Sequence, residues 1–208
     1  MIKERLNLSD EDVKMCKQIG FRTLSLCSIM EMEKMQALAY VRVMIPVINR
    51  YYHTQEERIE GYKRHWELFN TTPTVAGFIT GLSAAMEKQA SEDPTMDKKS
   101  INAVKASLMG PFAGIGDSIL MGTYSPILLS IAIGLSAGGS PIGAIFFVIA
   151  WLGTVIPLKY FMFMKGYDLG MDAVKLLMNK EIKDKITTAL TMVGLIVIGG
   201  VASTTVAA

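Results

Sequence analysis

The feature that most constrains this chain is a long middle section almost without charge. From residue 106 to residue 158 the only formally charged side chain is Asp117, whereas residues 1–67 are dense in Lys, Arg, Asp and Glu. Half of all residues are apolar, and the mean hydropathy is +0.34. An ordinary soluble domain cannot shield so much apolar surface. The sequence therefore predicts an integral membrane protein with a polar front and an apolar middle.

Three apolar runs are long enough to cross a membrane as helices, which takes roughly 20 residues. They cover residues 119–137, 141–158 and 186–208. The first two are separated by Ala-Gly-Gly-Ser-Pro at residues 137–141, which is typical of a tight turn and predicts a transmembrane hairpin. The third run predicts a C-terminal membrane span, with a buried core helix of a soluble protein as its alternative.

Lysines cluster after the hairpin and indicate its orientation. An excess of lysine near the ends of membrane helices marks the cytoplasmic face. We therefore expect the hairpin to return to the cytoplasmic side and the N-terminal section to lie there too, in a multi-pass protein. The lysines are Lys159, Lys165, Lys175, Lys180, Lys183 and Lys185.

The predicted fold is all-α, because helices are the spanning option here and no alternating pattern of barrel strands appears. We expect one integral membrane domain over residues 1–208. Within it, residues 1–68 form amphipathic cytoplasmic or interfacial helices, and residues 69–90 form a re-entrant helical segment. Residues 107–164 form the transmembrane hairpin, and residues 186–208 form the C-terminal transmembrane helix.

The polar front carries helix signals. Ser9 or Asp10 can cap a helix start, and the acidic residues that follow favour the positive end of a helix. Beyond them, apolar residues recur mostly at three- and four-residue steps, which predicts a helical stripe along a membrane surface or a partner. The accompanying basic residues are either lipid-headgroup contacts or a solvated face. The stripe consists of Phe21, Leu24, Ile29, Met32, Met35, Leu38 and Ala39.

A polar motif, Asn70-Thr71-Thr72-Pro73, precedes an apolar segment that is too short to span a membrane. Such lengths favour a re-entrant segment, in which broken backbone is tolerated only beside protein or a water-filled cavity. The amide and hydroxyls of Asn70, Thr71 and Thr72 donate and accept hydrogen bonds, which suits sugar hydroxyls. The alternative is a capping motif that opens a buried helix.

A second polar landmark ends at Asp117, just before the first full span. An ionisable group entering an apolar span indicates a functional site, so we expect Asp117 to face the protein interior, capped by Ser118 or paired with a cation such as Lys105. Its alternative role is an N-cap for the span. The GxG at residues 114–116 is no dinucleotide fingerprint, because Ile119 replaces the third glycine and no strand precedes it.

The sequence shows no pattern for catalysis or metal binding. His53 and His65 lie in a charged stretch without the setting of an activated triad. Cys16 and Cys27 lack metal-ligand spacing to these histidines and are predicted to be reduced structural thiols. The formal net charge of +2 gives no nucleic-acid footprint. We predict no chemistry on this chain, no metal and no cofactor.

The two polar landmarks resemble signatures of the mannose-family (mannose/fructose/sorbose) phosphotransferase component IID. The matching stretches are Phe-Asn-Thr-Thr-Pro at residues 69–73 and Leu-Met-Gly-Pro-Phe-Ala-Gly-Ile-Gly-Asp-Ser at residues 108–118. Residues 33–40 resemble the family's acidic-basic-Met-Gln helix, and residues 166–170 resemble its later Gly-Tyr segment. Order and spacing agree along nearly the whole chain.

The resemblance implies a non-catalytic subunit in the bacterial cytoplasmic membrane that pairs with a IIC membrane subunit in a hetero-oligomer. This complex would conduct a hexose or related sugar and hand it to a phosphohistidine-bearing IIB protein, within a system that also includes IIA. The resemblance implies that the 70–72 motif lies near the sugar path and that Asp117 fixes helix ends there. It implies that the 33–40 helix helps to orient the assembly. The residues are Asn70, Thr71, Thr72, Asp117, Glu33 and Gln36.

This chain departs from the family pattern at three positions. Thr72 replaces the usual histidine, and Met30 and Glu31 replace the usual Trp-Asn, so the sugar is left open. The family pattern also continues beyond a run like residues 186–208. Two rival functions are a structural membrane scaffold that only stabilises a IIC-like partner and a stand-alone channel or transporter.

Overall fold

The computed structural model describes residues 8–136 and 138–178, with the backbone alone for residues 171–178. This part of the chain consists of helices and loops, with no β-strand. The predicted span at residues 186–208 lies outside it. The α-helices are α1 (Asp10–Arg22), α2 (Ala37–Tyr51), α3 (Gln55–His65), α4 (Ala76–Glu92), α5 (Lys99–Gly116), α6 (Ser125–Leu135) and α7 (Ile142–Met178).

Helix α1 begins where the capping signal predicts. The Oγ atom of Ser9 accepts a hydrogen bond from the backbone N–H of Asp12 at 3.1 Å. Three acidic residues occupy the first turn, beside the positive end of the helix dipole. The helix ends at Arg22 and passes into the 3₁₀ turn Thr23–Ser25.

The apolar residues between Phe21 and Ala39 do not lie on one helix, so the prediction of a continuous stripe is wrong. Hydroxyl groups in this stretch bond to carbonyl oxygens three residues earlier, which offers the backbone an alternative to a helix. Thr23 Oγ1 donates to Gly20 O at 2.7 Å, and the next two serines donate in the same way. The stripe residues largely face solvent, and Met32 is 97% exposed.

The hairpin forms the apolar half of the molecule. Lys99–Leu135 is one continuous helix made of α5, the π-helical segment Asp117–Tyr124 and α6. This helix and Ile142–Gly170 are both long and apolar enough to cross a membrane. Gly138 and Gly139 join them with φ of +82° and +86°, a conformation that glycine adopts at no steric cost. The predicted tight turn lies here.

The hairpin presents apolar side chains to its surroundings. Ile133 on α6 is 65% exposed, and Ile149 on α7 is 67% exposed. A continuous exposed surface of this kind fits a hydrocarbon environment or a protein partner.

Helix α4 is buried against α7. Gly77 and Gly81 on α4 and Gly166 on α7 face the backbone of the opposite helix, and a Cβ atom at Gly77 would lie 2.6 Å from the carbonyl oxygen of Lys159. Small residues allow two helices to approach closely, as in membrane helix pairs. Whether residues 69–90 re-enter a membrane stays a prediction.

Candidate functional site

Residues 70–75 form a loop that lies against the first hairpin helix where α5 meets the π-helical segment. The buried Thr72 hydroxyl lies 2.6 Å from Oδ1 of Asp117 and 3.0 Å from the carbonyl oxygen of Ala113. A hydroxyl has one proton, which is donated to the nearer, ionisable oxygen. This contact fastens the loop to the start of the π-helical segment.

The side-chain amide of Gln36 holds the same loop from another side. Its Nε2 donates to the carbonyl oxygen of Thr71 at 2.9 Å, and its Oε1 accepts from the Thr71 N–H at 3.3 Å. The Thr71 hydroxyl donates to the carbonyl oxygen of Met109 at 3.1 Å. Because Gln36 and Thr71 are buried, these bonds satisfy groups that would be costly to leave unpaired. Gln36 thus positions the loop.

Asn70 and Glu33 are the exposed members of the candidate set. The backbone N–H of Asn70 lies 3.3 Å from Sδ of Met109. Neither the Asn70 amide nor the Glu33 carboxylate makes a side-chain hydrogen bond within the described part of the chain. Both groups are therefore available to a ligand or to another chain.

Asp117 lies within a continuous helix, so its predicted role as an N-cap is wrong. The helix continues through the Gly-Pro pair at residues 110–111, which leaves no helix start near position 117. The hydrogen bond to the Asp117 carboxylate comes from the Thr72 hydroxyl, and not from the expected partners Ser118 or Lys105. Lys105 lies twelve positions earlier on the same helix, about 18 Å along the axis, which is beyond side-chain reach.

The contact between the loop and the helix is close. A Cβ atom at Gly116 would lie 2.5 Å from Cβ of Thr72. A glycine at position 116 therefore lets the Thr72 hydroxyl reach both the Ala113 carbonyl and Asp117.

Comparison with models of protein families shows which family this chain belongs to. The model of the PTS system mannose/fructose/sorbose family IID component matches residues 11–208, a range that contains all six candidate residues. The chain belongs to this family.

Characterised IID relatives differ in the sugar that they are named for. The sorbose-specific EIID component of Lacticaseibacillus casei is 37% identical over 167 residues, which are 80% of this chain and 59% of the relative. The fructose permease IID component of Bacillus subtilis is 36% identical over 82% of this chain and 62% of the relative. The mannose-specific EIID component of Escherichia coli K12 is 37% identical over 80% and 59%. This chain thus spans about three fifths of these relatives' length.

The fold of this IID component also matches a solved transporter. A chain in the cryo-EM structure of the mannose transporter ManYZ with microcin E492 superposes with a TM-score of 0.79 at 33% identity. The match covers 93% of this chain and 69% of that chain. A second match, to a chain described as a membrane protein, has a TM-score of 0.72 at 33% identity. The predicted all-α membrane fold is confirmed.

A buried charged network, which the sequence analysis missed, ties α2, α3 and α4 of this IID component together. Oε1 of Glu87 lies 2.8 Å from Nε of Arg64 and 2.9 Å from Nε2 of His65. Oε2 accepts from the Tyr52 hydroxyl at 2.6 Å and from Nη2 of Arg64 at 2.9 Å. The side chains of His65 and Glu87 are fully buried. One available signal was a glutamate directly at the end of the apolar run of α4, where Glu87 follows Met86.

Folding stability should depend on the protonation of His65. Burial lowers the pKa of His65 below its usual value of 6.5, although Glu87 opposes this shift. Between pH 7.5 and 5 the unfolded chain therefore takes up a proton that the folded chain resists. We expect the free energy of unfolding to fall as pH falls through this window, by up to about 1.4 kcal/mol per pH unit. Thermal unfolding in detergent at several pH values measures it.

Two variants separate this effect from general acid sensitivity. His65→Gln should flatten the dependence of the unfolding midpoint on pH, whereas His53→Gln, at an exposed position, should leave it unchanged. A midpoint in the wild-type chain that is constant between pH 7.5 and 5 contradicts the prediction.

The π-helical segment joins the site to the second hairpin helix. The Thr123 hydroxyl donates to the carbonyl oxygen of Ser118, five residues earlier, at 3.0 Å. The Tyr124 hydroxyl lies 2.6 Å from Oγ1 of Thr154 on α7. Single π turns within α-helices occur frequently at functional sites. Asp117 is the first residue of this segment, so the loop contact lies at its start.

Candidate metal ligands and the two cysteines can be placed in residues 8–136 and 138–178 of the structure. This part of the chain contains no group of three or more His, Cys, Asp or Glu side chains that could hold a metal ion. Cys16 and Cys27 are free thiols. Burial raises the pKa of Cys16 to about 12, which makes it a poor nucleophile.

Proposed function

We propose that this chain is the IID subunit that forms, with a IIC membrane subunit, the path of a hexose or related sugar through the bacterial cytoplasmic membrane. The names of its relatives support a sugar of the mannose, fructose or sorbose class. The structural match to the mannose transporter ManYZ supports a membrane partner. Because this chain spans about three fifths of its curated relatives, their activity and partners enter here as proposals.

The observation that carries this proposal is the fixed loop at residues 70–75. The buried Thr71 and Thr72 hydroxyls fasten it to the hairpin, and the buried Gln36 amide bonds to its backbone from another side. The loop presents the exposed Asn70 amide, which has donors and acceptors free for sugar hydroxyls. A polar group held on a rigid support binds with little loss of conformational entropy, which favours a binding role over a flexible surface loop.

In this proposal the chain carries out no chemistry. It binds the sugar, while a IIB protein, charged through IIA, transfers the phosphoryl group on the cytoplasmic side. A phosphorylated sugar is charged and does not recross hydrocarbon, which makes uptake effectively irreversible. Orientation with the N-terminus in the cytoplasm belongs to the same proposal, and the lysines that follow the hairpin support it.

An uptake assay on the intact complex tests the proposed residues. We expect Asn70→Ala combined with Asp117→Ala to lower sugar uptake at least about tenfold. A hydrogen bond that involves a charged group, such as the Asp117 carboxylate, contributes about 1.5–3 kcal/mol, and tenfold corresponds to about 1.4 kcal/mol. The variant is co-expressed with the IIC-like partner, and co-purification confirms the complex. Gln18→Ala, which removes an exposed amide on α1, is the control and should transport normally. Unchanged uptake in the double variant rejects this assignment.

A scaffold function is the second candidate, because Thr71, Thr72 and Asp117 are already satisfied by bonds within the chain. It predicts that the double variant loses assembly with the partner while any complex that remains binds sugar normally. The transport proposal predicts the reverse, lost sugar affinity in an intact complex. Sugar flux through liposomes that contain this chain alone would instead indicate a stand-alone transporter.

A further inference from the structure

A charged cavity of about 360 Å³ lies between α3 and the start of α5, apart from the loop that carries Asn70. Three lysines from the two elements line it, namely Lys63, Lys98 and Lys99, and Arg64 lies in its wall. None of the three lysines makes an ion pair within the described part of the chain. Their ammonium groups are therefore free of short ion pairs, and the Glu57 carboxylate attracts Lys98 only at longer range.

Two of the cations are held in place by their surroundings. Nε and Nη2 of Arg64 bond to the buried carboxylate of Glu87, and its Nη1 makes no hydrogen bond within residues 8–136 and 138–178. Nζ of Lys98 lies 5.0 Å from the centre of the Tyr52 ring. Cations that are already ordered lose less entropy when an anion binds.

The start of α5 adds further polar groups to the cavity and to the region behind it, one of them an acceptor and one a cation. The cavity lies beside the first turn of the 18-residue helix α5, where the Asp97 carboxylate already accepts a hydrogen bond from the backbone N–H of Lys99 at 2.9 Å. Asn102, one turn further on, lines the cavity, and its side-chain oxygen is buried without a hydrogen-bond partner in the described structure. Lys105, 1% exposed, follows on the next turn, and its Nζ also makes no hydrogen bond there.

Glu60 and Glu67 also line the cavity and limit what it can accept. Their carboxylates repel a polyanion but accept hydrogen bonds from hydroxyl or amino groups. The unpartnered side-chain oxygen of Asn102 also accepts hydrogen bonds from hydroxyl or amino groups. The lining thus combines a cationic part with an acceptor part, which matches a small ligand that has one phosphate group and polar substituents.

We propose that this cavity binds the phosphate group of a small phosphate monoester or diester with a polar body. Phosphate is favoured because three ammonium groups and a guanidinium edge line one space. Its volume suits a ligand of about the size of a phosphorylated monosaccharide or a lipid headgroup. The site is separate from the sugar-path residues, so its occupancy does not depend on the proposed transport function.

Isothermal titration of the full chain, inserted in phosphatidylcholine nanodiscs at low ionic strength, tests the proposal with inorganic phosphate as the probe. We expect saturable binding that weakens at least about tenfold in Lys63→Gln/Lys99→Gln. Lys14→Gln/Lys17→Gln, which removes two exposed lysines from α1, should bind like the wild-type chain. Glu60→Gln should bind inorganic phosphate more tightly, because it removes a repelling charge.

A second arm distinguishes a soluble ligand from a lipid. The inorganic phosphate titration of the wild-type chain is repeated in phosphatidylcholine nanodiscs that also contain phosphatidic acid, whose headgroup competes for the cavity if it binds there. Equal phosphate binding in both kinds of nanodisc supports a soluble phosphate ester, and phosphate binding that phosphatidic acid weakens supports a lipid headgroup. Equal behaviour of the cavity and α1 variants in the phosphate titration, or equal binding of chloride and phosphate, overturns the proposal. Sugar uptake enters neither arm, so the transport function is judged separately.

Discussion

Replacing Glu87 with alanine should cost about 3–5 kcal/mol of folding free energy, which is a large part of the stability of a typical domain. The substitution leaves the Arg64 guanidinium mostly buried and without its partner, and it removes the acceptor of the Tyr52 hydroxyl. An unpaired buried charge carries its full desolvation cost. Thermal unfolding of the purified chain in detergent should show a strongly lowered midpoint or no folded protein.

The control for this prediction is Glu92→Ala on the same helix. Glu92 is exposed, so its removal should change stability by less than about 0.5 kcal/mol. Glu87→Gln should fall between the two, because the amide still accepts hydrogen bonds but carries no charge. If Glu87→Ala unfolds at the wild-type temperature, the network does not hold α2, α3 and α4 together.

Gly81→Val should have the second large effect, a loss of about 3 kcal/mol or more through separation of α4 from α7. A Cβ atom at this position would overlap the backbone oxygen of Phe163 and approach the backbone nitrogen of Tyr167. Backbone atoms cannot rotate away as side chains can, so the helices themselves must move. Midpoints of thermal unfolding and the yield of folded protein in detergent measure the effect.

Gly153→Ala on α7, the helix against which α4 packs, is the control for this prediction. A Cβ atom at Gly153 would meet nothing within 4 Å, so alanine should be neutral or should stabilise the helix by up to about 1 kcal/mol. Similar losses from Gly81→Val and Gly153→Ala would contradict the prediction, because a loss at Gly153, which has open space around it, cannot come from close packing of α4 against α7.

The parts of the fold that the sequence predicts well depend on local signals. Ser9 caps α1 because its oxygen reaches an N–H three residues away, and this spacing is visible in the sequence. The hairpin turn at Gly138 and Gly139 follows from glycine's access to positive φ. The two long helices follow from the length of uncharged sequence.

The loop between α1 and α2 was not predictable in this way. Spacing alone indicated a helix from Phe21 to Ala39, but hydroxyl groups compete there for the carbonyl oxygens. Lys159 shows a second limit of sequence patterns. The lysine pattern treats Lys159 as a surface cation, but its side chain is buried, with 7% of its surface exposed. Its Nζ lies 3.4 Å from the carbonyl oxygen of Thr23. Only tertiary packing places that carbonyl near it.

The candidate site was predicted as a set of residues but not as an arrangement. Gln36 and Thr71 are 35 positions apart, and Thr72 and Asp117 are 45 positions apart. Contacts at such separations leave no periodic pattern in a single sequence. The partner of Asp117 therefore came from the structure, whereas the composition of the 70–72 motif was enough to identify it as a polar landmark.

The π-helical segment Asp117–Tyr124 changes how the first hairpin helix must be counted. Its hydrogen bonds close over five residues, so one extra residue is accommodated and every later side chain is turned by roughly 100° from its α-helical position. A helical wheel drawn continuously from Lys99 to Leu135 therefore assigns the wrong face to α6. The pairing of Tyr124 with Thr154 marks the true register. Alignments and cross-linking designs for this hairpin should restart their helical numbering at Ser125.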